Sequence, residues 1–119
     1  MKLKPGNICY LEIPAPDIKA AAKFYTKVFG WKINAKFSPE YWGFDDGHMG
    51  GGFDASAKPN KTGINLYIKV TDIPASLAKI TKAGGKVTKE KTAIYGGKFG
   101  HYACFRDPNG NQLSLWSKK

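Results

Sequence analysis

The sequence has few of the residues that build disulfide frameworks and metal centres. It contains two cysteines, Cys9 and Cys104, which lie far apart and form no CxxC pair. This usage argues against a disulfide framework and is typical of a reducing compartment. Only two histidines occur, and no apolar run approaches the ~20 residues that a membrane span requires. No apolar segment of a signal peptide follows the basic N-terminus, so we expect a cytoplasmic protein.

Arginine is almost absent from a strongly basic chain. The formal net charge is +10 over 119 residues, yet the only arginine is Arg106, and the lysines are scattered along nearly every segment. Nucleic-acid readers usually use the bidentate guanidinium group. A soluble, lysine-coated surface is therefore the preferred interpretation, and a charge-driven nucleic-acid or interaction module is the alternative. The apolar content of 42% is typical of a globular domain with a core.

An internal repeat organises the chain. Residues 10–33 fall on residues 65–88 without a gap, and identical residues recur in order along this stretch, among them Ile13/Ile68, Asp17/Asp72 and Gly30/Gly85. The similarity continues at slightly different offsets, where Tyr41 falls on Tyr102. We therefore predict a single domain over residues 1–119 that consists of two modules joined by a polar linker. Their predicted ranges are about 7–54 for module one, 55–62 for the linker and about 63–118 for module two.

Each module is predicted to have the order β-α-β-β-β. Asp17 and Asp72 stand where helix N-caps belong, and Gly30 and Gly84-Gly85 end the two amphipathic segments. The predicted strands lie at residues 8–13, 31–37, 64–70 and 86–91, and closing hairpins turn at 45–47 and 107–110. The predicted fold class is α+β, with a curved mixed sheet and helices on its outside.

Alternation along the strands separates an aliphatic face from a polar and aromatic face. In the strand at 64–70, Leu66 and Ile68 oppose Asn65 and Tyr67. We expect the aliphatic face to lie under the helices. The other face carries too many aromatic rings for a merely solvated surface, which predicts a concave cleft for a ligand or an interface in a dimer.

Several motifs resemble those of the vicinal oxygen chelate superfamily, which includes glyoxalase I, bleomycin-resistance proteins, fosfomycin-resistance enzymes and extradiol dioxygenases. The resemblance covers nearly the whole chain and implies the glyoxalase/bleomycin resistance fold and a homodimer. Because this superfamily uses one scaffold for many reactions, the motifs are specific for the fold and not for the chemistry. The stretches that carry the resemblance are residues 13–17, 24–31, 70–73, 83–85 and 105–111.

The resemblance also implies where a metal would bind. Metal enzymes of the superfamily place ligands on the first, fourth, fifth and eighth strands, and by position these fall on Tyr10, Gly51, Asn65 and Ser114. Transition metals require imidazole, carboxylate or thiolate ligands, so we expect neither a metal nor another cofactor. The predicted function is binding of a small molecule, for sequestration or resistance. A lyase or isomerase of the glyoxalase type, similar to lactoylglutathione lyase, is the alternative.

The polar face supplies the candidate site residues. Glu12 is the best candidate for a catalytic base, and pairing with a lysine such as Lys69 is the structural alternative. The sequence does not fix the register of residues 100–106, and the resemblance favours an inward orientation of Tyr102 and Cys104. The residues expected to line the cleft are Tyr10, Glu12, Met49, Phe53, Asn65, Tyr67, Tyr102, Cys104, Ser114 and Trp116.

Two further patterns allow alternatives to this site. His48 and His101, with Asp45 or Asp46, form a second metal hypothesis. The glycine run at 50–52 resembles a phosphate cradle, but no helix follows it, so the mechanism of anion binding is missing. We interpret this run as a place where a ligand or a partner chain approaches the backbone closely.

Overall fold

Two four-stranded sheets, each with one long helix, make up the computed structural model, which describes residues 4–5, 8–60 and 63–119. The β-α-β-β-β order occurs twice and confirms the predicted fold class. Residue 7, where the first module was predicted to begin, and residues 61–62 of the predicted linker lie outside the described residues. The elements are β1 (Leu11–Pro14), α1 (Ile18–Phe29), β2 (Lys32–Ser38), β3 (Tyr41–Asp45), β4 (Gly50–Asp54), β5 (Tyr67–Lys69), α2 (Ile73–Lys82), β6 (Lys86–Ala93), a 3-10 turn (Tyr95–Gly97), β7 (His101–Arg106) and β8 (Gln112–Ser117).

The two sheets have the same strand order. The first is β1-β4-β3-β2 and the second is β5-β8-β7-β6. In each sheet the first pair of strands is parallel, and the other two pairs are antiparallel. The predicted curved sheet is therefore divided into two, with β1 and β5 as edge strands. Within the described part of the chain, no helix is long and apolar enough to cross a membrane.

Both helices begin at the predicted aspartates. The Asp17 carboxylate accepts a hydrogen bond from the Ala20 amide, and the Asp72 carboxylate accepts one from the Ala75 amide, each at 3.0 Å. These bonds satisfy backbone donors that a helix start leaves without partners. Helix α1 ends at Gly30, whose φ of 73° lies in the left-handed region that a side chain would strain. The predicted helix starts are thus confirmed.

An aromatic cluster fills the core between α1 and the first sheet. The Tyr25 and Trp31 rings are stacked with their centroids 4.6 Å apart, and the Trp31 and Phe44 rings are stacked at the same distance. Phe24 extends the cluster to Phe105 of β7, at a centroid distance of 6.1 Å. Because Phe105 belongs to the second module, this helix packs on both modules.

The turn after β7 joins the two modules through a buried carboxylate. Asp107 accepts hydrogen bonds from the Tyr25 hydroxyl at 2.8 Å, and from the Asn111 side chain and the Asn109 and Asn111 amides at 2.9 Å each. All four acceptor positions of the carboxylate are used. Tyr25 lies on α1 and Asp107 in the second module, so this bond crosses between modules.

Two asparagine side chains of the same turn reach β1 and the start of α1. The Asn109 amide group accepts from the Asp17 backbone N–H at 2.6 Å and donates to the Asp17 carbonyl at 3.0 Å. The Asn111 side chain donates to the carbonyl of Pro14. We call these contacts of residues 107, 109 and 111 the inter-module latch. It fixes the end of β1 next to the start of β8.

Candidate functional site

The polar face of the first sheet is built around glycine. Glu12 on β1 lies opposite Gly52 on β4, which in turn lies opposite Gly43 on β3. Directly opposed residues in a sheet project to the same side, so these three share one face. A Cβ on Gly52 would collide with the side chain of Tyr41. The hydroxyl end of the Tyr41 ring therefore lies over the strand where a side chain is missing.

Tyr41 is the centre of a chain of hydrogen bonds on this face. Its hydroxyl donates to Glu12 Oε2 at 2.8 Å, and its oxygen lies 2.6 Å from the hydroxyl oxygen of Tyr10. Partial burial, and then the hydrogen bonds to Tyr10 and Glu12, raise the pKa of Tyr41 well above its ordinary value. The phenol thus stays protonated and holds Glu12 in place. The observed hydrogen-bond partner of Glu12 is thus Tyr41, where the sequence had suggested Lys69 as the alternative to a catalytic role.

Sequence reasoning did not include Tyr41 among the candidate residues, although a signal was present. The repeat pairs Tyr41 with Tyr102, and Tyr102 was a candidate. In the structure Tyr41 lies opposite Asp54, and Tyr102 lies opposite Trp116, at matching places in the two sheets. Applying the repeat to every candidate would have found Tyr41.

The polar face of the second sheet contains five of the predicted residues. Tyr67 lies opposite Ser114, which lies opposite Cys104, and the next pair on this face is Tyr102 with Trp116. The register that the sequence left open therefore places Tyr102 and Cys104 on the same side as Ser114. Cys104 Sγ lies 3.5 Å from Ser114 Oγ.

A cation and an aromatic ring border this second face. The Lys89 ammonium lies 5.8 Å from the centre of the Tyr102 ring, within the range of a cation–π contact. The Trp116 indole N–H donates to the carbonyl of Phe99 at 2.9 Å, which fixes the indole against the loop before β7. The floor of this face thus consists of small polar groups, and its border is aromatic and basic.

Phe53 lies in the core and not on the polar face, which corrects its predicted place in the cleft. Its side chain is fully buried, and its ring centroid lies 5.0 Å from that of Phe44 and 5.3 Å from that of Tyr25. The reason is the register of β4, in which Gly52 faces Glu12 while Phe53 faces Ile13. Adjacent residues of a strand point to opposite sides.

Met49 and Asn65 lie at the margins of the sheets. Met49 precedes β4 and lines a groove of about 380 Å³ together with Trp31 and Tyr67. This groove reaches the aromatic core, and its lining includes Leu11 of β1 and Ile68 of β5. Asn65 is exposed and precedes β5 by two residues.

Two other grooves adjoin the polar face of the first sheet. One of about 390 Å³ is lined by Tyr10, Phe37, Gly43 and Gly50, with Asn34, Asp45 and Lys32 among its polar groups; we call it the glycine groove. The other, of about 320 Å³, lies where the modules meet and includes Glu12, Ile64 and Gln112. Glu12 therefore belongs to the junction of the modules, and Tyr10 to the glycine groove beside it.

The four positions that the resemblance assigns to metal ligands do not fit a transition metal. Tyr10 and Ser114 offer hydroxyl groups that already contact Tyr41 and Cys104, and Asn65 offers an amide. The remaining position, which the sequence assigned to Gly51, falls on Gly52 instead. Gly52 lies opposite Glu12, and Ser114 lies opposite Tyr67, the residue that the repeat pairs with Glu12. Glycine supplies no side-chain ligand, so this correction leaves the donor set unsuitable.

The second metal hypothesis joined His48 and His101 with Asp45 or Asp46. Across residues 4–5, 8–60 and 63–119, no three His, Cys, Asp or Glu side chains are close enough together to hold an ion. His48 is exposed in the β3–β4 turn, whereas His101 begins β7 in the other sheet with its Nδ1 buried and without a hydrogen-bond partner. These residues do not form a common site.

Comparisons with known proteins agree on one family. A family model described as the Glyoxalase/Bleomycin resistance protein/Dioxygenase superfamily matches residues 7–115. A glyoxylase-like domain-containing protein of Didymella fabae is 32% identical over 125 residues, which cover 95% of this chain and 94% of that protein. The anthracycline biosynthesis protein DauV of Streptomyces is 26% identical, and the match covers 98% of this chain and 49% of that protein, so the chain spans about half the length of this relative.

A solved structure supports the fold independently. The crystal structure of a glyoxalase/bleomycin resistance protein/dioxygenase family enzyme from Burkholderia phytofirmans superimposes with a TM-score of 0.78. The match covers 92% of this chain and 97% of that one, at 21% sequence identity. At this identity the likeness concerns the fold alone.

Proposed function

We propose that this chain, which belongs to the glyoxalase/bleomycin resistance protein/dioxygenase superfamily, binds a small organic molecule on its polar and aromatic faces without a metal ion. The observation that carries the proposal is that tyrosine side chains occupy or cover two of the candidate metal positions in the first module. Tyr10 is engaged with Tyr41, and the Tyr41 ring covers Gly52. A site occupied by phenol groups and a glycine suits recognition of an organic ligand better than coordination of an ion.

The composition of the two faces supports binding of an organic ligand. Exposed aromatic rings occur on both, with Tyr10 49% and Tyr67 51% accessible to solvent. Small polar groups, such as those of Ser114 and Cys104, lie between such rings on the second face. Ligand sites commonly combine apolar walls with a few polar groups that fix orientation. Sequestration of the ligand, as in resistance, is the role that we infer for such a site.

A metal and ligand analysis of the same preparation tests this proposal. Protein purified without chelator is measured by inductively coupled plasma mass spectrometry, and co-purified small molecules are identified by native mass spectrometry. We expect metal far below one equivalent, and ligand binding that does not change when EDTA is added. Stoichiometric nickel or zinc, or loss of ligand binding with EDTA, would contradict the proposal.

A metal-independent isomerase or lyase is the second candidate function, because of the chain Tyr10–Tyr41–Glu12. A carboxylate held by a phenol has a defined orientation for proton abstraction next to a carbonyl group. Glu12 would take the proton from one carbon and return it to the neighbouring carbon, while the hydroxyl proton passes to the former carbonyl oxygen, and Tyr41 would hold the carboxylate in place. The hemithioacetal of methylglyoxal and glutathione is the test substrate. Turnover that is lost in Glu12→Gln and reduced in Tyr41→Phe supports this candidate, and equal rates in the wild type and Glu12→Gln exclude it.

We also propose that the chain forms a homodimer and acts in a reducing compartment. Exposed apolar side chains flank the edge strands: Ile8 is 75% and Ile64 is 89% accessible. Such groups are commonly buried by association. Cys9 and Cys104 are both free thiols. Light scattering after size exclusion tests the dimer, and a monomer at all concentrations would contradict it.

A further inference from the structure

Three glycines on the polar face of the first sheet differ in what covers them. They are Gly43 on β3 and Gly50 and Gly52 on β4. A Cβ on Gly43 would lie 2.8 Å from the Phe37 ring, and a Cβ on Gly52 would collide with Tyr41. The chain's own rings therefore cover two of the three glycines.

Gly50 is the one of these three glycines that no ring of the described residues covers. A Cβ there would meet only the Phe44 carbonyl oxygen, at an ordinary distance of 3.5 Å. Gly50 lies in the glycine groove, of about 390 Å³, whose lining also includes Tyr10 and Phe37, and it lies opposite Asp45 on β3. Glycine within a strand often marks a close approach of a ligand to the backbone. The pattern on this face thus has two rings on two glycines, and an open space on the third.

We propose that a phenol-like ring of the ligand lies on Gly50 in the glycine groove and donates a hydrogen bond from its hydroxyl group to Tyr10. This inference rests on the proposed binding of a small molecule, and it adds where that molecule binds and to which chemical class it belongs. Tyr10 and Phe37 are 49% and 66% exposed, so both offer aromatic surface to a third ring.

The hydrogen bonds among Tyr10, Tyr41 and Glu12 determine whether Tyr10 offers the ligand a donor or an acceptor. The single hydroxyl proton of Tyr41 is donated to Glu12. The 2.6 Å contact between the two tyrosine oxygens therefore uses the proton of Tyr10. Tyr10 then has no proton left to donate, while its oxygen still accepts. A ligand hydroxyl matches this oxygen, and a carboxylate at the same place has no proton to donate.

The charges around the groove are mixed, which makes the polarity testable. Asp45 lines the groove as a further acceptor, and Lys32 lies opposite Asp45 across β2 and β3. If Lys32 dominated recognition, an anion would bind best. If Tyr10 dominates, as we infer, the hydroxyl compound binds best. Two compounds with the same ring and different substituents separate these cases.

The experiment uses 2-naphthol and 2-naphthoate with the full chain labelled with ¹⁵N. Amide shifts locate each probe, and titration gives its Kd. We expect 2-naphthol to shift the amides of Gly43 and Gly50 and to bind more tightly than 2-naphthoate. Tyr10→Phe should weaken 2-naphthol binding about fivefold, the usual effect of one hydrogen bond, and leave 2-naphthoate unchanged.

A space-filling variant tests the position of the ring. Gly50→Val places methyl groups where the ring would lie, and we expect it to weaken 2-naphthol binding by about tenfold or more. Ala93→Val is the control, because it places the same valine side chain at an exposed strand position in the other sheet; it adds two carbons where Gly50→Val adds three. The control should bind as the wild type does. Circular dichroism and thermal unfolding establish that both variants fold.

Several results would overturn the inference. Shifts confined to Ser114 and Cys104 would leave small-molecule binding intact and place it on the second face instead. Tighter binding of 2-naphthoate would assign recognition to Lys32. Shifts at Gly50 that depend on protein concentration and not on the probe would show that a second copy of the chain covers the groove. Unchanged affinity of Gly50→Val for 2-naphthol would exclude a ring on Gly50. Absence of any bound organic molecule in the native mass spectra would instead count against the proposed function itself.

Discussion

Removing the Tyr25 hydroxyl group tests whether the inter-module latch stabilises the fold. Tyr25 is fully buried, and its hydroxyl donates to Asp107 at 2.8 Å. Tyr25→Phe keeps the ring and its stacking on Trp31, so the change removes one hydrogen bond to a buried carboxylate and little else. Such bonds contribute about 1.5–3 kcal/mol to the free energy of unfolding. Loss of the bond should therefore lower the Tm of a domain of this size by roughly 6–12 °C.

The cost of this substitution should depend on pH. Burial raises the pKa of the Asp107 carboxyl above its ordinary value, and the hydrogen bonds from Asn111, Tyr25 and Asn109 oppose that shift. For a carboxyl whose folded pKa is raised, the stability it contributes is fully present below the unfolded value and is lost as the pH rises through the folded value. Without the Tyr25 hydroxyl the pKa of Asp107 rises further. Tyr25→Phe should therefore cost more at neutral pH than at low pH.

Urea unfolding followed by circular dichroism, at about pH 7 and at about pH 3.5, measures both effects. Tyr95→Phe is the matched control, because Tyr95 is 82% exposed and its hydroxyl lies at the surface. The control should change the free energy of unfolding by less than about 0.5 kcal/mol. An equal loss for Tyr25→Phe at the two pH values would refute the role of the Asp107 charge. A loss within the range of the control would refute the latch itself.

Two further predictions concern single backbone positions, and urea unfolding checks each. A Cβ on Gly51 would collide with the Leu11 carbonyl oxygen and the Phe44 ring. Gly51→Ala should therefore lower the free energy of unfolding by about 1–3 kcal/mol or more, whereas Gly50→Ala should change it by less than about 0.5 kcal/mol. Equal stabilities of the two variants would contradict the register of β4. Asp72→Ala should cost about 1 kcal/mol through loss of the α2 N-cap, while Asp72→Asn should retain most of it, and a similar loss in both would show that the hydrogen bond to Ala75 is not what matters.

The modules and their helices could be predicted because the relevant signals are local. Asp17 and Gly30 determine where α1 begins and ends through bonds to residues within a turn of them. The extent of a strand is different, since it depends on a partner. Residues 64–70 alternate, yet the register with β8 covers Tyr67–Lys69, with backbone hydrogen bonds of Leu66 and Val70 at its two ends. Ile64 is 89% exposed. Alternation indicates which side a residue faces and not whether a neighbouring strand is present.

The faces of β4 could not be predicted, because turn lengths differ between the modules. Counting from the turn glycines makes Gly51 the equivalent of Ser114 in the first module, but the strand register makes Gly52 the equivalent residue. A shift of one residue exchanges the two sides of a strand. This exchange moves Phe53 into the core and Gly52 onto the polar face.

The latch was visible in the sequence only as a turn. Asp107 and Gly110 predicted the hairpin, and the Gly110 amide does donate to the Asp107 carbonyl at 2.9 Å. Nothing in the spacing shows that Asn109 and Asn111 reach Asp17 and Pro14, which are 92 and 97 residues away in the chain. Contacts of this kind depend on how the modules pack, and a periodic pattern does not contain that information.

The duplicated scaffold presents different chemistry on its two faces, and one pair of equivalent positions explains the difference. In the first module Gly52 leaves room for the Tyr41 ring to lie on the sheet, which brings its hydroxyl to Glu12 and orients Tyr10 as an acceptor. In the second module Ser114 occupies the equivalent place, and the Tyr102 ring lies beside the Lys89 ammonium instead. A ligand that touches both faces would meet acceptor oxygens at one end and a cation with aromatic rings at the other. The two faces thus differ in chemistry in spite of the near symmetry of the fold.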